Sequence, residues 1–116
     1  MRILDVDPVP TAEAGALTRH LAEGERVDAA FRSPTGSLLL TDLRLLLVSR
    51  EHLLEEKVET TSWPYREIRH FAVQEGEDGR ASLRIWLGDE PQPLHVRARP
   101  DVDLLPLQRL LAARLR

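Results

Sequence analysis

The pattern of hydrophobic and polar residues along the chain predicts a fold built mainly from short strands. Between residues 25 and 99, short segments rich in Val, Ile, Leu and aromatic residues alternate with strand breakers. The breakers are Pro and Gly residues at 34–36, 64, 76–79 and 88–93. Regularly spaced short strands of this kind are typical of an antiparallel sandwich or barrel.

Two neighbouring segments, 82–87 and 94–99, show strict alternation and predict a β-hairpin. Apolar residues hold every second position of each segment and are expected to point inward. The outward positions are held by Arg84, Trp86, His95, Arg97 and Arg99.

Two leucine runs, 38–40 and 45–48, flank a short polar break that contains Asp42. A single helix through both runs would be apolar almost all round, which a small domain cannot hide. Asp is common at chain reversals because its side chain bonds to nearby backbone amides. The runs therefore predict two central strands that bury both faces and are joined by a tight turn.

Two helices are predicted at the ends of the chain. The C-terminal helix covers Leu104 to about Arg114, with Asp103 as its cap and Pro106 in its first turn. Its apolar stripe has the helical period and consists of Leu104, Leu107, Leu111 and Leu115, widened by Ala112. A short helix over 11–21 is also indicated, ending before Gly24. The predicted core consists of Leu40, Leu47, Ile68, Phe71, Leu83, Ile85, Val96, Leu104 and Leu111.

Length and composition limit the possible classes of protein. At 116 residues the chain is expected to be one domain, and it has no cysteine for a disulfide or a zinc–thiolate site. The net charge of −3 argues against a nucleic-acid-binding protein, which needs surplus cations to displace counterions. Asp5 and Asp7 interrupt the start of the chain where a signal peptide would be apolar. We therefore expect a cytoplasmic protein.

Four short motifs resemble those of the bacterial pleckstrin-homology (PH) domain family. They are Glu23–Val27 ("GExV"), Leu40–Leu45 ("TDxRL"), Trp63–Phe71 ("PYxxIxxF") and Leu83–Trp86 ("LxIW"), in the family's order and at similar spacing. The resemblance implies a mainly β fold with a C-terminal helix, in which about seven antiparallel strands form a partly open barrel. With the short N-terminal helix, this places a PH-like domain at 11–116 after an extension at 1–10. The resemblance also implies an interaction module without enzymatic activity that forms homo-oligomers.

Most of these motifs also have a purely structural interpretation. Thr41 and Asp42 can tie down the turn through backbone amides, with Arg44 covering or pairing with Asp42. Trp63 and Tyr65 can fill the core beside a proline that ends a strand. Gly24 can supply a left-handed backbone conformation.

No residue set predicts a reaction. The four histidines, at positions 20, 52, 70 and 95, lack the spacing of a helical metal site. Adjacent acids such as Glu55 and Glu56 are usually solvated, and Ser33 and Ser37 have no glycine-flanked nucleophile elbow. We predict no catalytic residue, no metal, no cofactor and no enzyme.

The outward face of the hairpin is the candidate interface. Neighbouring arginines repel one another unless water or a partner intervenes, and an exposed tryptophan is a common anchor of interfaces. Together they suggest a surface that a partner covers. The acidic residues Glu51, Glu55, Glu56 and Glu59 would complement it on a second copy, in the kind of heterologous contact that builds rings. Alternatively, Trp86 stacks under an arginine and the other charges are solvated. The predicted partners are the chain itself and an unidentified protein or peptide.

Two other functions remain open from the sequence. A peripheral membrane protein could recognise anionic lipid head groups through Arg84, Arg97 and Arg99. Phosphoinositide binding is disfavoured because segment 26–36 lacks the basic cluster that a polyanionic head group needs. A small-molecule carrier would use a cavity between the barrel and the closing helix.

Overall fold

The computed structural model describes residues 2–10, 19–51 and 57–115. In this part of the chain, strands form one eight-stranded sheet and a single α-helix follows them. The strands are β1 Arg2–Val9, β2 Val27–Ser33, β3 Gly36–Thr41, β4 Arg44–Glu51, β5 Lys57–Pro64, β6 Ile68–Glu75, β7 Ala81–Leu87 and β8 Leu94–Ala98; the helix is α1 Leu105–Arg114.

The sheet is a half-barrel with the strand order β5-β4-β3-β2-β1-β8-β7-β6. All neighbouring strands pair antiparallel except β1 and β8, which run parallel. A short 3-10 turn, Tyr65–Glu67, leads from β5 to β6, the two outermost strands of the sheet. The prediction of a mainly β, PH-like fold with one C-terminal helix is confirmed.

Strand β1 is the main difference from the predicted architecture. Residues 2–9, which the sequence analysis placed in an N-terminal extension, form a central strand bonded to β2 on one side and β8 on the other. Leu4 and Val6 point into the core. This strand raises the count from about seven to eight.

The leucine runs form β3 and β4 and bury both of their faces, as predicted. Leu38, Leu40, Leu45 and Leu47 belong to the main core inside the half-barrel. The intervening residues form a second apolar cluster on the opposite face of the sheet, Ala30, Leu39, Leu46 and Val48, against which Leu21 packs. Successive side chains of a strand point to opposite faces of the sheet, so a strand that is apolar at every position must be covered on both faces.

Helix α1 closes the half-barrel through one apolar stripe. Leu104, Leu107 and Leu111 are all buried in the main core. The helix begins at Leu105, one residue later than predicted, and its N-cap is Leu104 rather than Asp103. Asp103, one residue before the cap, accepts a hydrogen bond through Oδ1 from the backbone N of Leu105 at 2.9 Å. Ala112 is exposed, so its predicted place in the stripe is wrong.

The predicted core is confirmed at every position except Phe71, which is half-buried against the core rather than inside it. Tyr65 is buried and Trp63 packs on the core at the end of β5, in agreement with their predicted filling role.

The predicted N-terminal helix over 11–21 lies mainly outside the described residues. Within them, Arg19 and His20 belong to a 3-10 turn. Gly24 has the left-handed conformation expected of it, with φ +79°.

Candidate functional site

A buried ion pair joins the β3–β4 turn to the segment before β2. Arg44 donates from Nε to Glu25 Oε2 at 2.9 Å and from Nη2 to Glu25 Oε1 at 2.8 Å. The Thr41 hydroxyl donates to Glu25 Oε2 at 2.5 Å, and its oxygen accepts from the backbone N of Arg44 at 3.0 Å. The side chain of Glu25 is 0% exposed. We call Glu25, Thr41 and Arg44 the Glu25 network.

Contacts around the Glu25 network extend it to three further elements. Arg44 also donates to the carbonyl of His20 and to Oγ of Ser62 on β5, at 2.8 and 2.7 Å. The Tyr65 hydroxyl donates to the carbonyl of Thr41 at 2.5 Å. The carboxylate of Asp42 accepts a hydrogen bond from the backbone N of Arg26 at 2.8 Å. Because Arg44 pairs with Glu25 instead, its predicted pairing with Asp42 is wrong.

The charges of the Glu25 network satisfy one another. Hydrogen bonds from the Arg44 guanidinium, and then from Thr41 and the Ala22 amide, lower the pKa of Glu25 to about 2 against the opposing effect of burial. A carboxylate held ionised in this way has no proton to exchange near neutral pH. The motifs that contain these residues therefore fix the strand connections.

The outer face of the β7–β8 hairpin carries a row of stacked side chains. His70 on β6 lies opposite Trp86 on β7, and their rings stack with centroids 4.2 Å apart. The Arg84 guanidinium carbon lies 5.5 Å from the centroid of the Trp86 ring. Trp86 is therefore half-buried, held between a histidine and an arginine. We call His70, Arg84, Trp86 and His95 the Trp86 face.

Arg84 has no carboxylate partner within the described residues. Its Nε is buried and has no hydrogen-bond acceptor in that part of the chain. His95 lies directly opposite it on β8, and burial together with Arg97 and Arg84 lowers the pKa of His95. The Trp86 face thus combines aromatic surface with a cation that no carboxylate of the described residues neutralises.

Arg97 and Arg99 are bound to acidic residues of β1. Arg97 donates from Nε and Nη2 to the two carboxylate oxygens of Asp5, at 2.9 and 3.0 Å. Arg99 Nε lies 2.7 Å from Asp7 Oδ1. These two arginines, predicted as interface cations, are partnered within the chain.

Three residues of this surface were missed by the sequence analysis. Asp5 and Asp7 alternate with Leu4 and Val6, and this period of two is a strand signal that could have revealed them. His70 had no such signal, because a register shift between residues 68 and 70 sets its position opposite Trp86.

The predicted acidic complement is only partly visible. Glu55 and Glu56 lie outside the described residues, and of Glu51 the structure describes the backbone alone. Glu59 is exposed on β5, where its Oε1 accepts a hydrogen bond from the Thr61 hydroxyl at 3.3 Å.

In the described ranges, no group of three or more acidic, histidine or cysteine side chains is arranged to hold a metal ion. The one α-helix found there, with ten residues, is too short to cross a membrane.

Comparisons with known proteins agree with this architecture. The family model described as "Bacterial PH domain" matches residues 5–115. The protein YjqA of Bacillus subtilis (strain 168) is 34% identical over 100 residues, covering 84% of this chain and 80% of YjqA. A crystal structure of a pleckstrin-homology domain protein from Shewanella loihica PV-4 is 25% identical and superimposes with a TM-score of 0.80, covering 97% of this chain and 98% of that one. The pleckstrin homology domain from Shewanella amazonensis SB2B is 26% identical, with a TM-score of 0.69 over 88% of this chain and 94% of that one.

Proposed function

Because the chain belongs to the bacterial PH domain family, we propose that it is a non-enzymatic, cytoplasmic interaction module that self-associates and binds another protein through the Trp86 face. The observation that carries the proposal is the Trp86 stack itself. A tryptophan that already packs against His70 and Arg84 loses little side-chain entropy when a partner covers it.

The unpartnered guanidinium of Arg84 supports an acidic contact from the neighbouring copy. A carboxylate reaching Arg84 would neutralise a cation that no described residue pairs. Glu59, exposed on the outermost strand β5, is a candidate for that role within the predicted acidic segment. A contact between two different surfaces of the same chain is heterologous. It builds a closed ring when the rotation from one subunit to the next brings the last subunit back to the first.

Sedimentation velocity at micromolar concentration tests self-association. Trp86→Ala should shift the protein from oligomer toward monomer, since truncating an interface tryptophan commonly weakens a contact by about thirtyfold. Leu105→Ala is the matched control, because Leu105 is an exposed apolar residue on α1, away from the Trp86 face. A wild-type protein that remains monomeric at high concentration would contradict self-association.

Recognition of anionic lipid gains no support from the surface. Two of the three arginines expected to contact lipid, Arg97 and Arg99, are already bound to Asp5 and Asp7. A lipid phosphate would have to displace these carboxylates and would be repelled by them.

A further inference from the structure

A groove of about 390 Å³ lies between helix α1 and the first strands of the half-barrel. It is separate from the Trp86 face, none of whose residues line it. The groove is lined by apolar residues that include Ala29, Phe31, Val102, Leu107 and Leu110, and by four charged residues at its rim. We call this the α1 groove.

The floor of the α1 groove is apolar and firmly supported. Phe31 and Leu107 are buried members of the main core, so the base of the groove cannot shift without disturbing that core. Val102 and Leu110 are half-buried at its walls and keep apolar surface in contact with water. Covering that surface would be favourable for any partner with apolar side chains.

The rim of the α1 groove carries surplus negative charge near the start of α1. Asp28 is paired with Arg114 at the far end of the helix. Arg99 is held at 2.7 Å by Asp7 and lies 4.0 Å from Asp101. The side chain of Asp101 is 79% exposed, and Asp103 is exposed with one carboxylate oxygen bonded to the Leu105 amide, so both can still face a cation from a partner.

We propose that the α1 groove binds a short peptide segment of a partner protein, in which two or three apolar residues adjoin a lysine or arginine. The apolar side chains lie on Phe31, Leu107 and Leu110. The cation meets Asp101 and Asp103, which supply the charge complementarity. This inference goes beyond self-association and does not require it.

A peptide of a larger partner fits the α1 groove better than a free small molecule does. Small-molecule sites typically enclose most of the ligand and aim their polar groups inward. Here Asp101 and Asp103 stand at the exposed rim, where only a partner that continues past the groove would cover them.

The test is an amide NMR titration of the full chain with synthetic peptides at low salt. The probe is the blocked peptide Arg-Leu-Leu-Leu-Arg; the controls are Glu-Leu-Leu-Leu-Glu and Arg-Ser-Ser-Ser-Arg. Shifts are expected at Ala29, Phe31, Val102 and Leu110 with the probe, and at least tenfold weaker binding with either control.

Two variants and a matched control sharpen the titration. Leu110→Ser should weaken binding about tenfold by removing an apolar wall of the groove. Asp101→Asn should weaken it about threefold by removing a rim charge, an effect that higher salt abolishes. Asp89→Asn alters an exposed acid outside the groove and should change nothing.

With the peptides, three outcomes would overturn the proposal. These are no shifts at millimolar probe, shifts confined to residues outside the α1 groove, and equal binding of the acidic control. Tighter binding of decylamine than of the probe would also overturn it, by assigning the groove to a small amphiphile. A monomeric wild type would contradict self-association without affecting this titration.

Discussion

Two nitrogens of Arg44 bind the two carboxylate oxygens of Glu25, at 2.9 and 2.8 Å, although the residues lie 19 positions apart. The pair connects the β3–β4 turn with the entry to β2, and the Glu25 side chain is fully buried while that of Arg44 is 25% exposed. Each charge is balanced by the other, and the pair holds the β3–β4 turn against the segment before β2. Breaking it from one side would leave a charge without its partner.

Glu25→Gln should lower the free energy of unfolding by about 2–4 kcal/mol. The reason is that Arg44 keeps its charge but loses the carboxylate that balances it, which is costly at a largely buried site. Urea denaturation measures the change. Glu59→Gln, an exposed substitution on β5, should change stability by no more than about 0.5 kcal/mol.

A double variant distinguishes the effect of leaving one charge unbalanced from the effect of losing a side chain. Glu25→Gln combined with Arg44→Met should recover part of the loss, because no unbalanced cation is left. Strictly additive losses would show that the two charges do not depend on each other.

The stability contribution of Glu25 should disappear at acidic pH. Folding lowers its pKa from 4.5 to about 2, so the folded state favours the ionised form. The contribution is therefore complete above pH 4.5 and is lost as the pH falls from 4.5 to about 2. The difference between the two pKa values corresponds to about 3 kcal/mol.

The measurement for this pH dependence is the urea midpoint of wild type and Glu25→Gln between pH 6 and pH 2. The gap between the two proteins should be widest at pH 6 and should close toward pH 2. A gap that stays constant across this range would mean that Glu25 is not held ionised by the fold.

Leu111→Ala should cost about 2–5 kcal/mol of unfolding free energy, as expected for a truncation in a packed core. Leu111 is 0% exposed, at the centre of the contact between α1 and the half-barrel. Thermal and urea unfolding monitor the change, and Leu105→Ala on the exposed side of the same helix provides the comparison. A loss below about 0.5 kcal/mol would show that α1 is not docked.

The sequence was most informative where neighbouring residues determine the structure. The runs around Leu39 and Leu46 predicted strands that are buried on both faces, because apolar side chains at consecutive positions of a strand must point both ways. The alternation around Ile85 likewise placed Arg84 and Trp86 together on the outer face.

Features set by distant parts of the chain were not predicted. Arg97 was expected to be available to a partner because its neutralising residue, Asp5, lies 92 positions away on a strand that was not anticipated. The stack of His70 on Trp86 depends on an irregular register between β6 and β7. The alternation around Asp5 indicates a strand but does not show that the strand lies beside β8, and the His70–Trp86 stack has no local sequence signature.

The parallel pairing of β1 with β8 also determines when the sheet can be completed during synthesis. Translation makes β1 before the other described strands, and β8 after all of them. Contacts between such distant segments are slow to form, because a long loop must close first. Until then one edge of β1 has no partner, and Asp5 and Asp7 on that strand discourage pairing with other chains, as charged residues do on exposed edges. The same carboxylates that later bind Arg97 and Arg99 would thus protect the nascent chain from aggregation.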